Sequence, residues 1–201
     1  MSVIFAMSLF AFSMAITPGP NNLISLSNGV NYGFKGALPF VFGVMVGCSL
    51  LMLLTGLGLG QIAAGNDMFM KIMSFVGAGF ISFLAFKIAT AEPELKINDK
   101  GKPGFLHGVF FQCINPKAWI GTLAGISAFN VVGNFDGLLV FIIIYAAIVF
   151  FAVSTWAYAG SKIVRFLGNR KNHRIFNIVM GLSLFAVAVY LFFMQITEKI
   201  S

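Results

Sequence analysis

The chain has 201 residues, of which 59% are apolar and 9% charged, and its mean hydropathy is +0.94. An ordinary soluble domain carries about 25% charged residues, and a soluble core of this size could not hide so much apolar surface. The composition therefore excludes a water-soluble enzyme and predicts an all-α integral membrane protein in a lipid bilayer. The net charge of +7 comes without the basic clusters and interleaved aromatics that are typical of nucleic-acid binding, so no nucleic-acid partner is expected.

Six long apolar windows follow one another along the chain, each nearly free of charge. A helix needs about 20 apolar residues to cross the hydrocarbon layer, and the windows lack the alternation of barrel strands. The predicted spans are residues 3–30, 37–60, 68–88, 105–129, 137–160 and 175–196. The first window begins without a basic stretch, which favours a retained helix over a cleaved signal peptide.

A polar stretch at residues 91–104 divides the spans into two groups of three. We predict a single membrane domain over residues 1–201, with a first three-helix half at 1–90, a cytoplasmic loop at 91–104 and a second half at 105–201. Because each half has an odd number of spans, the second half runs in the opposite sense, as in an inverted repeat. A short sequence match between residues 34–40 and 135–141 agrees with this repeat, with chance as the alternative.

Basic residues lie mostly on one side of the predicted spans. Of the 13, ten fall in the connections after spans one, three and five, two fall on the other side, and Lys117 lies inside the fourth span. Loops rich in Lys and Arg stay in the cytoplasm. We therefore predict a multi-pass protein of the cytoplasmic membrane with both termini outside.

The first and fourth spans are each interrupted near their middle by proline and polar residues. The first contains Thr17, Pro18, Gly19, Pro20, Asn21 and Asn22, and the fourth contains Asn115, Pro116 and Lys117. Proline lacks an N–H and clashes with the preceding turn, and the freed backbone groups are tolerated only inside protein or beside a wet cavity. Two such interruptions in matching positions indicate a transporter's binding site; a plain proline kink without a ligand is the alternative.

Lys117 lies near the centre of the fourth span, roughly 15 Å from either surface at about 1.5 Å per residue. An ammonium group at this depth costs at least about 2.5–3.5 kcal/mol, and no Asp or Glu falls within any predicted span. We expect freed carbonyl groups, water or the carboxylate of a solute to satisfy Lys117, with Asn21 and Asn22 orienting the solute. A lysine that only ties the two interrupted helices together is the alternative.

Catalytic, metal and cofactor chemistry are not indicated. Cys48 and Cys113 form no Cys-x-x-Cys pair, and His107 and His173 complete no metal-ligand spacing. We also find no nucleophile–base set, so we predict no catalytic residue, no metal and no cofactor. A membrane thiol-redox conduit and a passive channel remain alternatives to a carrier.

Glycines spaced by four residues recur along the spans. The pairs are Gly29/Gly33, Gly43/Gly47, Gly56/Gly60 and Gly121/Gly125. Small residues at this spacing let membrane helices approach closely. We predict packing between spans of one chain, with a homodimer contact through one pair as the alternative.

Together these motifs resemble the LysE/RhtB family of bacterial amino-acid exporters. The resemblance rests on Thr17-Pro-Gly-Pro-Asn-Asn22, Gly33-Phe-Lys-Gly36 and Asn115-Pro-Lys117, and in length and motif position it covers essentially the whole chain. Residues 86–90 and 112–122 are similar to the cysteine/O-acetylserine exporter branch. Phe80, Trp119, Gly121 and residues 128–130 depart from the family's usual residues, which leaves the substrate open.

The resemblance implies a secondary transporter that exports small amino acids across the bacterial inner membrane by a proton-linked process. We predict alternating access by rocking of the two halves around the interrupted helices. The resemblance also implies a substrate-binding role for Pro18, Gly19, Pro20, Asn21, Asn22, Asn115, Pro116 and Lys117.

Overall fold

The computed structural model describes residues 2–59, 67–91, 102–167 and 169–197. Over these ranges the chain is helical and contains no strand. The seven α-helices are α1 (Val3–Ile16), α2 (Pro20–Leu54), α3 (Asp67–Thr90), α4 (Phe105–Ile114), α5 (Pro116–Ala128), α6 (Phe135–Leu167) and α7 (Arg170–Thr197). A π-helical segment, Thr55–Leu59, continues α2. The all-α prediction is confirmed for the described residues.

Three of the helical segments are long and apolar enough to cross a membrane, and three further apolar helices are shorter. The long segments are Pro20–Gly58, Phe135–Leu167 and Arg170–Tyr190, and the shorter ones are Val3–Ile16, Ala78–Thr90 and Phe105–Ile114. Large apolar side chains lie on the outside, among them Phe151 and Phe166, which are 69% and 85% exposed. Such surfaces are stable in lipid and unfavourable in water. The number of spans and their arrangement in two repeats stay predictions.

Helix α2 consists of two helical parts that meet at Gly33. This residue has φ 70° and ψ 170°, a left-handed backbone conformation that glycine adopts without steric cost. It lies in the stretch predicted to connect the first two spans. Nothing would lie within 4 Å of a Cβ atom on Gly33, so the predicted packing role of this glycine is wrong. It is needed for the backbone conformation instead.

Helix α2 is central in the fold: its two parts pack against α6 and α4, while α1 packs on α6 and α3 packs on α7. Glycines permit the closest approaches. A Cβ atom on Gly29 would lie 2.0 Å from the carbonyl oxygen of Ala157 in α6, and one on Gly43 would lie 2.0 Å from that of Phe105 in α4. The other predicted glycines with close neighbours are Gly47, Gly56, Gly121 and Gly125. Packing within the chain is therefore confirmed for these positions, and Gly60 lies outside the described residues.

Candidate functional site

The chain leaves helical conformation between α1 and α2. Helix α1 is capped by Thr17 at φ −58° and ψ 129°, and Gly19 precedes α2 in an extended conformation, at φ −160° and ψ 176°. Pro20 is the first residue of α2, where its missing N–H costs nothing because the first amides of a helix have no partner in the helix. Gly19 offers no side chain to cap the amides of that first turn.

Side chains from two helices satisfy the carbonyl groups at the end of α1. The Asn22 amide donates to the carbonyl oxygens of Ala15 and Thr17, each at 2.9 Å. Trp156 of α6 donates its indole N–H to the carbonyl of Ile16 at 3.3 Å. The last carbonyls of a helix have no partner within the helix, so these bonds stabilise the end of α1 without water.

A single residue, Asn115, separates α4 from α5. It is extended, with φ −86° and ψ 110°, and its side-chain oxygen accepts a hydrogen bond from the backbone N–H of Lys117 at 3.1 Å. This is an N-cap that satisfies one of the first amides of α5. Trp119 donates its indole N–H to the carbonyl of Cys113 at 2.6 Å across the same junction. Pro116 begins α5.

The two junctions are in direct contact, although they are far apart in sequence. The Lys117 ammonium donates to the carbonyl oxygen of Thr17 at 3.2 Å. The Asn21 amide donates to the side-chain oxygen of Gln112 at 2.5 Å. A Cβ atom on Gly19 would lie 3.1 Å from the Lys117 Nζ. The lysine thus finds an internal partner in a main-chain carbonyl, one of the partners that the sequence predicts.

A cavity, which we call the central pocket, lies where the junctions meet. It contains about 450 Å³ of space free of protein atoms, part of which opens outward. Its lining comprises Met14, Ala15, Gly19, Pro20, Asn21, Asn22, Val44, Gln112, Asn115, Lys117, Ala118, Tyr145, Val149 and Val153. Six of the eight predicted site residues line it. Pro18 is exposed and is not among them, and the side chain of Pro116 lies outside the described part of the structure.

Gln112 and a wall contributed by α6 also line the pocket, and neither was predicted from the sequence. Tyr145, Val149 and Val153 are spaced by four and lie on one face of α6. The two valines follow Phe135 by 14 and 18 positions, which places them about 21–27 Å along a helix of roughly 50 Å at 1.5 Å per residue. The central pocket therefore lies halfway along α6. A tyrosine in an otherwise apolar run was the signal that could have indicated this wall.

The central pocket has a polar side and an apolar side. The polar side carries the Lys117 ammonium and the uncapped first turn of α2, both of which favour an anion. Asn21 also lines the pocket, and its side-chain oxygen is buried without a hydrogen-bond partner among the described residues. Val149 and Val153 belong to the apolar side. The pocket can thus hold a small molecule that has an anionic group, a hydrogen-bond donor and a small apolar part.

The fold and this pocket define a multi-pass helical membrane protein with a polar site among its helices. Residues 12–195 match the family model described as LysE type translocator. The cysteine/O-acetylserine efflux protein of Salmonella choleraesuis (strain SC-B67) is 31% identical over 182 residues, which cover 89% of this chain and 92% of that protein. The protein of the same name from Escherichia coli (strain K12) is 31% identical over 183 residues, with the same shares covered. No solved structure matches the chain.

The chain belongs to the LysE type translocator family. The resemblance that the motifs carry is thereby confirmed, and the relatives bear the name of the branch predicted from residues 86–90 and 112–122.

Proposed function

We propose that this protein is a secondary-active exporter that moves small amino acids, with cysteine and O-acetylserine as the first candidates, out of the cytoplasm across the bacterial inner membrane. The observation that carries the proposal is the central pocket between two non-helical junctions, where the Lys117 ammonium lies 3.2 Å from the Thr17 carbonyl oxygen. The efflux proteins that cover 89% of the chain support the direction of transport and the class of substrate.

The proposal includes six spans in two inverted three-helix repeats. Helix α1 with residues 20–32 is the first span, residues 34–59 the second, α3 the third, α4 with α5 the fourth, α6 the fifth and α7 the sixth. Spans one and four are then the corresponding helices of the halves 1–90 and 105–201, each interrupted next to a proline. The loop 91–104 lies in the cytoplasm and both termini lie outside, as the distribution of basic residues favours.

The site residues act on the two charged ends of the amino acid. Lys117 and the uncapped first turn of α2, with Gly19 and Pro20 at its start, bind the carboxylate. The unpartnered oxygen of Asn21 accepts a hydrogen bond from the ammonium group, and the wall that contains Val149 accommodates a small side chain. Binding of an amino acid with a cationic side chain, such as lysine or arginine, is disfavoured, because no Asp or Glu is among the residues that line the pocket.

The remaining predicted residues hold the two junctions in shape. Asn22 and Asn115 satisfy backbone groups at the helix ends, and Pro18 and Pro116 keep those positions out of a continuous helix. Alternating access follows from movement of one half against the other about these junctions, and the inward movement of protons supplies the free energy for export.

Transport into everted membrane vesicles tests the proposal. Vesicles with the overproduced protein are energised with a proton gradient and given labelled cysteine, O-acetylserine, serine, threonine or lysine. A proton-linked carrier accumulates its substrate saturably and loses accumulation when a protonophore is added. Rapid equilibration without accumulation would identify a channel, and uptake equal to that of vesicles without the protein would contradict the proposal.

A further inference from the structure

Three buried polar side-chain atoms lack a hydrogen-bond partner among the described residues: Asn21 Oδ1, Ser25 Oγ and Ser154 Oγ. Asn21 and Ser25 lie on α2 and Ser154 lies on α6, and these two helices pack against each other. Buried polar atoms nearly always have a partner, because an unpartnered one is unfavourable. Three such atoms along one helix pair therefore require a physical explanation.

Other helical serines of the chain show how the hydroxyl is normally satisfied. Ser8, Ser13, Ser49 and Ser183 each donate to the carbonyl oxygen four residues earlier, at 2.8–3.0 Å. Ser25 is 0% exposed and does not form this bond. Its hydroxyl group is therefore buried and able to form a hydrogen bond with a partner that is not among the described residues.

Ser25 lies between two cavities. Asn21, Ser25 and Asn28 are spaced by four and three residues, so they lie on one face of α2; we call these three residues the polar stripe. Asn21 lines the central pocket. Asn28, which is 1% exposed, lines a second cavity of about 340 Å³ of atom-free space, together with Asn31 and Lys87. Asn21 and Asn28 are seven residues apart, which is about 10 Å along the helix.

The second cavity lies beside the ends of the predicted cytoplasmic loop. Asn28 donates to the carbonyl oxygen of Pro103 at 3.4 Å, and Asn177 of α7 donates to that of Ala91 at 3.3 Å. Asn31 and Asn177 also exchange two hydrogen bonds of 3.2 Å. These bonds join α2 and α7 to both ends of the predicted loop, which places the second cavity on its side of the membrane.

The helix pair is closed around the polar stripe in this structure. A Cβ atom on Gly160 would lie 2.1 Å from the carbonyl oxygen of Leu26, so the backbones of α2 and α6 are in contact just beyond Ser25. Ser154 lies on α6 between the central-pocket residue Val153 and Ala157, which contacts Gly29. The unpartnered hydroxyls of the two helices thus occur at the same level of the helix pair.

We propose that the polar stripe, with Ser154 on the opposing helix, is the path by which an amino acid passes from the second cavity on the cytoplasmic side to the central pocket. This inference rests on the proposed export function. Amide and hydroxyl groups hydrogen-bond both ends of a zwitterion but carry no charge that would trap it. The amino acid in transit supplies the partner that Ser25 and Ser154 lack in the closed state.

Cysteine labelling in everted vesicles tests the path. Ser25→Cys, Asn21→Cys and the matched control Ile24→Cys are each placed in a Cys48→Ala, Cys113→Ala background and treated with trimethylammonium-ethyl methanethiosulfonate. Ile24 is 0% exposed and lines neither cavity. We expect Ser25→Cys and Asn21→Cys to react with the reagent and to be protected from it by saturating O-acetylserine. Ile24→Cys should stay unreactive.

The outcomes separate this path from the proposed function. If Asn21→Cys reacts and is protected while Ser25→Cys does not react, the polar stripe is overturned and the exporter stands. If the protein shows no saturable transport of any amino acid, both proposals are overturned. Equal reactivity of Ile24→Cys and Ser25→Cys would indicate general exposure of the helix and would also overturn the stripe.

A second variant tests the hydroxyl itself in the wild-type background. Ser25→Ala removes an unpartnered group, so we expect an unchanged or higher Tm together with a maximal export rate about five- to tenfold lower, the effect of one lost hydrogen bond. Ser183→Ala, whose hydroxyl bonds to the Val179 carbonyl, is the control and should export at the wild-type rate. An unchanged rate for Ser25→Ala would contradict the path.

Discussion

The ammonium group of Lys117 is hydrogen-bonded to the carbonyl oxygen of Thr17, which lies 100 residues earlier in the chain, at 3.2 Å. The donor is the second residue of α5 and the acceptor is the C-cap of α1, so the bond joins the two places where the chain leaves helical conformation. Because an ammonium group at membrane depth requires a partner, this bond stabilises the contact between the two junctions. Under the proposed function, the lysine exchanges this carbonyl group for the carboxylate of the substrate.

Gly19→Ala is expected to weaken substrate binding without unfolding the protein. The extended backbone at φ −160° accepts alanine, but the new Cβ atom would lie 3.1 Å from the Lys117 Nζ, and the flexible lysine must shift by a few tenths of an ångström. We expect KM for export to rise about threefold, on the order of one interhelical hydrogen bond in a membrane, with a small change in Tm. The measurement is the export rate as a function of substrate concentration, and a wild-type KM would contradict the role of Gly19.

Asn21 and Gln112 are expected to be energetically coupled through their hydrogen bond of 2.5 Å. Asn21→Leu and Gln112→Leu each leave the other residue of the pair without its hydrogen-bond partner, whereas the double variant removes both polar groups. The double variant should therefore be less destabilised than the sum of the singles, by about 0.6 kcal/mol and at most about 1.7 kcal/mol. Thermal unfolding of the four purified proteins in detergent measures this difference, and strictly additive effects would show that the bond contributes nothing.

Gly29→Ala is expected to destabilise the fold strongly. Its Cβ atom would lie 2.0 Å from the carbonyl oxygen of Ala157, and a backbone atom cannot turn aside, so α2 and α6 would have to separate. Overpacking of this kind costs about 1–3 kcal/mol or more. Gly79→Ala is the control, because nothing would lie within 4 Å of its Cβ atom and alanine is the better helix former. Equal Tm values for the two variants would contradict the close packing of α2 on α6.

Removal of both cysteines is expected to leave export intact. Cys48 is buried, Cys113 is half-buried, and both are free thiols. A carrier needs neither sulfur atom, whereas a thiol-redox conduit requires at least one to exchange electrons. Export of labelled O-acetylserine by the Cys48→Ala, Cys113→Ala variant distinguishes the two mechanisms, and abolished export in a protein of normal Tm would favour the conduit.

Proline, asparagine and lysine residues allowed the sequence to predict most of the residues that meet at the central pocket, because each of these residue types is costly inside an apolar helix. The sequence could not show that Pro18 is exposed while Pro20 lines the pocket, since that depends on the direction in which α2 leaves the junction. Gln112 and Tyr145 were missed for a related reason. A lone polar residue in an apolar run belongs to the site only if helix packing turns its face inward, and that packing is set by distant contacts such as Gly29 against Ala157.

The bounds of the helices, like the site residues, could be predicted from the sequence only in part. Hydropathy predicts that the first two spans are separated near residues 31–36, and the non-helical residue there is Gly33. Hydropathy alone cannot show that helix resumes directly after Gly33 without a loop. Helix α6 extends from Phe135 to Leu167, beyond the predicted span at 137–160, because a helix continues past the apolar window wherever its backbone hydrogen bonds remain favourable.

The central claim is that the pocket between the two junctions binds an amino acid through Lys117. Equilibrium binding of labelled O-acetylserine and cysteine to the purified protein in detergent tests this most directly, with Lys117→Met compared with the exposed control Lys171→Met. We predict saturable binding to the wild type and to Lys171→Met, and an affinity at least about tenfold lower for Lys117→Met, since a charge-assisted hydrogen bond contributes about 1.5–3 kcal/mol. Wild-type affinity in a folded Lys117→Met protein would contradict the claim.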